Sequence, residues 1–260
     1  MMDVKVTGID ALQSKLNDLQ SNQLPYAIKE GLNQTALEIQ KAEIEEMRKV
    51  FDRPTPYTLG STFVRYATKQ KLTAETGFRG QAGRGIPAPK YLAPQVYGGD
   101  RNLKRFEKAL QAIGVLPSGM YCVPGKGATL DAYGNFKTTQ LLQILSYFKA
   151  FGEQGYRKNM TDKRRDKMAK GTKKTASLAY FVSQGRGSVS MTGKPQHLPP
   201  GIYARHGFSF GTAIKSIIMF VKKPGYRKRY PFEETAEKVA NTTFSNNLHF
   251  AIGKAINTAK

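Results

Sequence analysis

Apolar side chains recur at helical spacing in two long segments of the chain, one near its start and one at its end. In the first segment, Pro25 suits the first turn of a helix because its missing N–H would be unpaired there. An apolar stripe follows it, made of Ile28, Leu32, Ala36, Ile39, Met47 and Val50. In the last segment, Pro231 precedes a similar stripe, and three glutamates lie where the helix dipole favours negative charge. The spacing predicts two long amphipathic helices.

Shorter segments of strand character lie between these helices. Alternating side chains at 61–78 predict a hairpin, and β-branched and aromatic residues predict strands at 176–183 and 201–206. The nearly continuous apolar run at 214–222 is typical of a buried strand. A short strand at 3–7 and a helix at 9–20 are predicted ahead of the first long helix. Helices that bracket several short strands indicate an α+β fold.

The middle of the chain differs in composition from both ends. Residues 114–175 are rich in glycine and basic side chains, and the apolar spacing within them predicts one helix, at 138–151. We therefore expect an α+β core formed by 1–113 and 176–260, interrupted by a basic insertion at 114–175. The part of this insertion from 157 to 174 has few apolar residues, so we expect it to be solvated and mobile.

Charge is distributed unevenly along the chain. The 260 residues contain 41 Lys and Arg against 19 Asp and Glu, a formal net charge of +22. Residues 1–50 hold 6 basic and 8 acidic side chains, and residues 51–260 hold 35 and 11. Like charges at this density repel each other, so we expect a counter-charge outside the chain, either nucleic acid or an acidic protein. The candidate contacts are Arg157, Lys158, Lys163, Arg164, Arg165, Lys167, Lys170, Lys173, Lys174, Arg227, Lys228 and Arg229.

Motifs of catalysis and metal binding are weak in this sequence. The single cysteine, Cys122, forms no internal disulfide, and none of the three histidines is spaced with another ligand for a metal ion. The segment Val123–Gly127 fails the phosphate-loop pattern, because Met120 stands where a glycine is needed and Gly127 follows Lys126 where a hydroxyl is needed. We expect no catalytic residue, no cofactor and no metal, and therefore no enzymatic activity.

Hydropathy favours an aqueous compartment. No apolar run approaches the roughly 20 residues of a membrane span. The N-terminal residues contain no hydrophobic signal core. We expect synthesis in a cytosol-like compartment.

The blocks Val4–Leu12, Tyr91–Gly99, Gly201–Arg205 and Tyr226–Phe232 carry a resemblance to a known family. They resemble segments of tail-completion and neck proteins of tailed bacteriophages, the minor tail protein Z-like group. The opening Val4–Leu12 followed by a long helix is similar to the start of these proteins. The blocks Tyr91–Gly99 and Gly201–Arg205 are similar to segments of phage morphogenesis proteins, as is Tyr226–Phe232, which leads into the final helix. The insertion at 114–175 is longer than this family needs.

The resemblance implies a non-enzymatic ring subunit with a small antiparallel sheet packed by the long N-terminal and C-terminal helices. Its implied location is the head–tail junction or tail of a virion. Its implied partners are further copies of itself and other neck or tail proteins, namely a portal-side adaptor, a tail terminator or a tail tube. Packaged DNA in the channel is a further candidate partner. The alternative is a stand-alone basic nucleic-acid-binding protein, which the alternation of aromatic and basic residues at 226–230 favours.

Overall fold

A computed structural model describes residues 21, 23–80, 85–152, 158–172, 176–189, 193, 195–208 and 211–258. The predicted strand 3–7 and helix 9–20 lie outside these described residues. The helices within them are α1 Leu24–Val50, α2 Pro56–Leu59, α3 Ala88–Val96, α4 Arg105–Ala112, α5 Thr138–Tyr147, α6 Asp162–Lys170 and α7 Phe232–Thr258. The strands are β1 Thr62–Arg65, β2 Glu75–Phe78, β3 Gly99–Asp100, β4 Met120–Pro124, β5 Ser177–Ser183, β6 Gly201–Phe208, β7 Gly211–Lys222 and β8 Gly225–Tyr226.

The chain forms two compact units. The first unit consists of residues 1–98 and 227–260, and the second consists of residues 99–226. These boundaries differ from the 113/114 and 175/176 boundaries expected from the sequence. The reason is that β4, within the expected insertion, pairs with β7, so the insertion and the later strands share one core.

The two long helices of the first unit pack against each other in antiparallel directions. Ala27 near the start of α1 meets Ala251 and Ala255 near the end of α7 in a buried cluster. At Gly31, an added Cβ would lie 3.1 Å from the Cα of Leu248, so the backbones approach too closely for a larger residue. The predicted α+β fold with packed N-terminal and C-terminal helices is therefore confirmed.

Polar groups fix the register of this helix pair. The side-chain amide of Asn247 donates to the Thr35 hydroxyl at 3.1 Å and to the Glu38 carboxylate at 3.0 Å. Burial raises the pKa of Glu38, but hydrogen bonds from Gln34, Asn247 and Thr243 outweigh it and hold the pKa below its ordinary value. Each hydrogen bond aligns one point on α1 with one point on α7.

The predicted hairpin lies against α1. Strands β1 and β2 pair antiparallel, with Thr62 opposite Phe78. The Thr76 hydroxyl donates to the carbonyl of Ala36, and the Gln40 amide donates to the Thr62 hydroxyl, both at 3.3 Å. The long helices thus pack with this two-stranded hairpin, whereas the four-stranded sheet belongs to the second unit.

A buried carboxyl lies near the C-terminal end of α1. The Tyr230 hydroxyl, itself fully buried, donates to Glu43 Oε2 at 2.5 Å. Among the described residues, no group forms a hydrogen bond with the buried Glu43 Oε1. Burial raises the pKa of Glu43 to about 7, with a further rise from Glu46, against the opposing effect of the Tyr230 hydrogen bond.

The second unit is built on an antiparallel sheet of order β4-β7-β6-β5. Ile202 and Ile218 are fully buried in this sheet and contribute to one apolar cluster with Leu110 of α4 and Ile144 of α5. The apolar run predicted at 214–222 is therefore a central strand, β7, which is paired on both sides. Its continuous hydrophobicity follows from this central position.

A buried ion pair connects α4 to the sheet. Glu107 is fully buried and accepts two hydrogen bonds from the Arg101 guanidinium, at 2.6 and 2.7 Å. It also accepts the backbone N–H groups of Lys104 at 2.6 Å and Cys122 at 2.8 Å. Burial raises the pKa of Glu107, but the Arg101 hydrogen bonds and the two N–H groups outweigh it and hold the pKa below its ordinary value. The carboxylate is thus the point where α4, its preceding loop and β4 meet.

Replacing this carboxylate tests its importance for folding. Glu107→Gln leaves the mostly buried Arg101 without its counter-charge, so we expect the free energy of unfolding to fall by about 3 kcal/mol, as when one member of a buried pair is removed. Urea denaturation followed by circular dichroism measures the change. The matched control is Glu75→Gln, which breaks the exposed pair with Arg65 and is expected to cost less than about 1 kcal/mol. Equal losses in the two variants would contradict this role of Glu107.

The buried Glu43 carboxyl predicts a pH dependence of stability. The unfolded chain releases this proton near pH 4.5, whereas the folded chain keeps it up to about pH 7. The folded state binds more protons between these values, so the free energy of unfolding falls by about 3 kcal/mol as the pH rises through this window. The Glu43→Gln variant should lack this decrease in the free energy of unfolding. We therefore expect the variant to unfold at a higher temperature than the wild type at about pH 8 but not at about pH 5.

Scanning calorimetry at both pH values measures this difference. The exposed Glu45, paired with Arg48 on the same helix, provides the control variant Glu45→Gln, which should keep the wild-type pH dependence. If Glu43→Gln kept it too, another group would be responsible.

Candidate functional site: a cationic groove in the second unit

The second unit carries most of the positive charge of the chain. Its sequence holds 22 basic and 6 acidic side chains, a net charge of +16. The first unit holds 19 and 13, a net charge of +6. The excess of basic side chains that the sequence shows after residue 50 is therefore concentrated in the second unit.

Two helices of this unit form the walls of a groove. In α5, Ile144 and Leu145 are buried in the apolar cluster of the sheet. Helix α6 begins after Thr161, whose hydroxyl accepts the N–H of Arg164, and ends before Gly171, whose φ of 73° suits glycine. The segment 157–174, expected to be solvated and mobile, therefore contains a capped helix. Its cap at Thr161 and its terminal glycine were overlooked because apolar residues are so few there.

Hydrogen bonds hold residues 158–160, which lead into α6, beside the end of α5 and Phe151. The side chain of Asn159 bonds to both the N–H and the carbonyl of Phe151, at 3.2 and 2.9 Å. The Ser146 hydroxyl donates to the carbonyl of Lys158 at 2.5 Å, and the N–H of Met160 donates to the carbonyl of Ser146 at 3.0 Å. These bonds fix the segment that leads into α6 beside the end of α5.

The groove has a volume of about 870 Å³, and apolar, cationic and uncharged polar side chains line it. Its apolar lining consists of Leu142, Phe151, Met160 and Met168. Its cationic lining consists of Lys158, Arg164 and Lys167. We call this site the α5–α6 groove. An occupant that suits both the apolar and the cationic side chains carries apolar groups as well as negative charge.

The predicted candidate cations from 157 to 174 differ in their surroundings. Lys163 and Lys170 lie on α6 but do not line the α5–α6 groove. Arg165 pairs with Asp162 at 3.1 Å and lies over the ring of Tyr147 at 5.5 Å. The structure thus brings three of the predicted contacts together at one site. The remaining ones, Arg157, Lys173 and Lys174, lie outside the described residues.

The second predicted cluster, Arg227 to Arg229, belongs to the first unit. Lys228 forms an ion pair with Glu234 in the first turn of α7. Arg229 donates to the side-chain carbonyl of Gln95 at 2.5 Å and lies over the Phe51 ring. Two of these three side chains therefore contact residues of their own unit.

The glycine-rich segment at 125–127 continues the edge of the sheet. The N–H groups of Gly125 and Gly127 donate to the carbonyls of Ile217 and Ser216 on β7, and the N–H of Lys126 donates to the Ser216 hydroxyl. At Gly125, an added Cβ would lie 2.4 Å from the Ser216 carbonyl oxygen. Glycine is therefore required here for close packing against β7, and these three N–H groups are occupied within the protein.

Cys122 is a core residue of the second unit. Burial raises the pKa of its thiol to about 12, so the thiol is protonated at neutral pH and is a weak nucleophile. Across the part of the chain that the structure describes, no three His, Cys, Asp or Glu side chains gather at a possible metal site. No helix within those residues is both long and apolar enough to cross a membrane.

The sequence pattern identifies two of the four apolar residues that line the groove. The apolar spacing predicts Leu142 and Phe151 on the inward face of a helix at 138–151, but the helix ends at Tyr147 and Leu142 is exposed. Met160 and Met168 were missed, although they are the two apolar residues larger than alanine between 158 and 172. Isolated methionines within a basic segment were the available signal.

Comparisons with protein-family models, with curated proteins and with solved structures find no match to this chain.

Proposed function

We propose that this protein is a structural component of a tailed-phage virion, a ring-forming tail-completion or neck subunit at the head–tail junction. The observation that carries the proposal is the core of the first unit, in which α1 and α7 pack together with a small antiparallel hairpin. This arrangement is similar to the core that the resemblance implies. The proposed partners are further copies of the chain, a portal-side adaptor, a tail terminator or a tail tube, and packaged DNA.

Surface chemistry supports an assembled state. Phe250 and Ile256 of α7 are 78% and 53% exposed, while Ala251 and Ala255 on the same helix are buried. A neighbouring subunit that covered these two side chains would remove apolar surface from water. In a cyclic ring each subunit makes such head-to-tail contacts with two neighbours.

Analysis of particles tests the proposal. Virions purified from the source of this gene should contain the chain at a fixed copy number, measured by quantitative mass spectrometry. Particles produced without the chain should accumulate as heads and tails that are not joined, as seen by negative-stain electron microscopy. The control restores the wild-type chain from a plasmid. Virions that lack the chain, or that assemble and infect normally without it, would refute the proposal.

Stand-alone nucleic-acid binding is the second candidate, and the charge of +16 on the second unit favours it. A protein with this role should bind a DNA duplex more tightly than the ~1–100 μM of non-specific binding at physiological salt. The logarithm of its affinity should fall linearly with the logarithm of salt concentration. Fluorescence anisotropy across a salt series measures both quantities. Weak binding at physiological salt would refute this candidate while leaving a virion role intact.

A further inference from the structure

The α5–α6 groove combines two surfaces that favour different parts of one ligand. Its apolar floor includes Leu142, which is 45% exposed and is therefore available to a partner. Met160 and Met168 extend this floor, and methionine side chains adapt well to the shape of an incoming apolar group. The cations Lys158, Arg164 and Lys167 line the same groove. Filling the groove stabilises a complex through apolar burial as well as through charge.

We infer that the α5–α6 groove binds an acidic amphipathic helix of a neighbouring protein. The apolar face of that helix would lie on the floor, and its flanking carboxylates would pair with Arg164 and Lys167. This is the helix-in-groove mode of recognition, with apolar anchors supplied at i, i+3, i+4 and i+7. The inference deepens the proposed function and rests on it for the source of the helix, which would be another protein of the virion.

The spacing of the cations fits a helical partner. Arg164 and Lys167 are three residues apart on α6, so their side chains lie one turn apart on the same side of the helix. Carboxylates three or four residues apart on a partner helix have matching separation. Each cation can then pair with its own carboxylate.

The carboxylate at the start of α6 is already paired within the protein. Asp162, at the start of α6, pairs with Lys149 and Arg165, both at 3.1 Å. The hydrogen bond and charge of Lys149 hold the pKa of Asp162 below its ordinary value, so it remains ionised and paired. Asp166 is exposed on α6 and does not line the groove. Among the described residues, no carboxylate forms an ion pair with Arg164 or Lys167.

The apolar floor favours a peptide over nucleic acid as the occupant. A DNA duplex presents phosphates and sugars to a groove between helices, and these cannot replace water on Leu142, Met160 and Met168 at a gain. Phe151 is the one aromatic side chain among the residues that line the groove, so a series of stacked bases has no matching platform. The cations of the groove would attract an acidic peptide and a DNA duplex alike, but only the peptide can bring apolar side chains onto the floor.

Binding of a designed probe to the full chain tests this inference. The probe is a fluorescein-labelled peptide of about 15 residues with Leu at i, i+3, i+4 and i+7 and Glu at the flanking positions. Its controls are a scrambled peptide of the same composition and a DNA duplex. We expect the amphipathic peptide to bind about tenfold more tightly than the scrambled peptide, as measured by fluorescence anisotropy. A tenfold difference in affinity corresponds to about 1.4 kcal/mol.

Three variants separate the contributions of the groove. Arg164→Glu/Lys167→Glu should weaken peptide binding at least about tenfold, and Leu142→Gln should weaken it about fivefold without a change of charge. The matched control is Lys163→Glu/Lys170→Glu, which makes the same charge change on α6 outside the groove and should alter binding less than about twofold. The substituted side chains are exposed, and circular dichroism checks that each variant keeps its fold.

The inference is overturned if the scrambled peptide binds equally well, or if both charge-reversed variants weaken binding equally. It is also overturned if Leu142→Gln has no effect while Arg164→Glu/Lys167→Glu abolishes binding of the DNA duplex, which would make the groove a nucleic-acid surface. Failure here leaves the virion role intact, because the chain would still be present in particles. Conversely, the chain could bind the peptide specifically and yet be absent from purified virions. That result would refute the virion role and support the groove as a docking site.

Discussion

The antiparallel contact between α1 and α7 is the interaction on which the first unit depends. These helices come from opposite ends of the described chain, and the whole second unit lies between them in sequence. Closing so long a connection costs conformational entropy, which the helix contact has to offset. Small residues at Ala27, Gly31, Ala251 and Ala255 allow the two backbones to approach closely. Close approach increases the number of van der Waals contacts and thereby stabilises the pair.

The strength of the local sequence pattern determines which elements could be predicted. Helices α1 and α7, the β1–β2 hairpin and strands β5 to β7 have strong local periodicity or β-branched composition, and each was predicted within a few residues of its observed position. Strand β4 was missed because its five residues, Met120–Pro124, lie in a glycine-rich segment and depend on pairing with β7. Helix α3 was missed because it contains Pro94 and follows a proline-rich loop. Their signals are tertiary and do not appear in a local pattern.

The candidate site was predictable in charge but not in shape. The basic composition of 157–174 indicated an interaction surface, and three of its cations do line one groove. Which three they are depends on how α6 packs beside α5. Arg165, on the same helix, instead pairs with Asp162 and covers Tyr147. Sequence spacing alone could not separate Arg164 from Arg165, because neighbouring residues on a helix point in directions about 100° apart.

Four of the six acidic side chains of the second unit form contacts within that unit. Asp100 pairs with Lys223, Glu107 with Arg101, and Asp162 with Lys149 and Arg165. Asp131 accepts the backbone N–H groups of Tyr133 and Asn135. Since basic side chains outnumber acidic ones by 22 to 6, the unit keeps a net charge of +16 that can attract an external partner. Long-range attraction speeds the encounter with any acidic molecule. Selection among such molecules then depends on the short-range contacts of an apolar floor such as that of the α5–α6 groove, because only a partner with matching apolar groups gains from burying it.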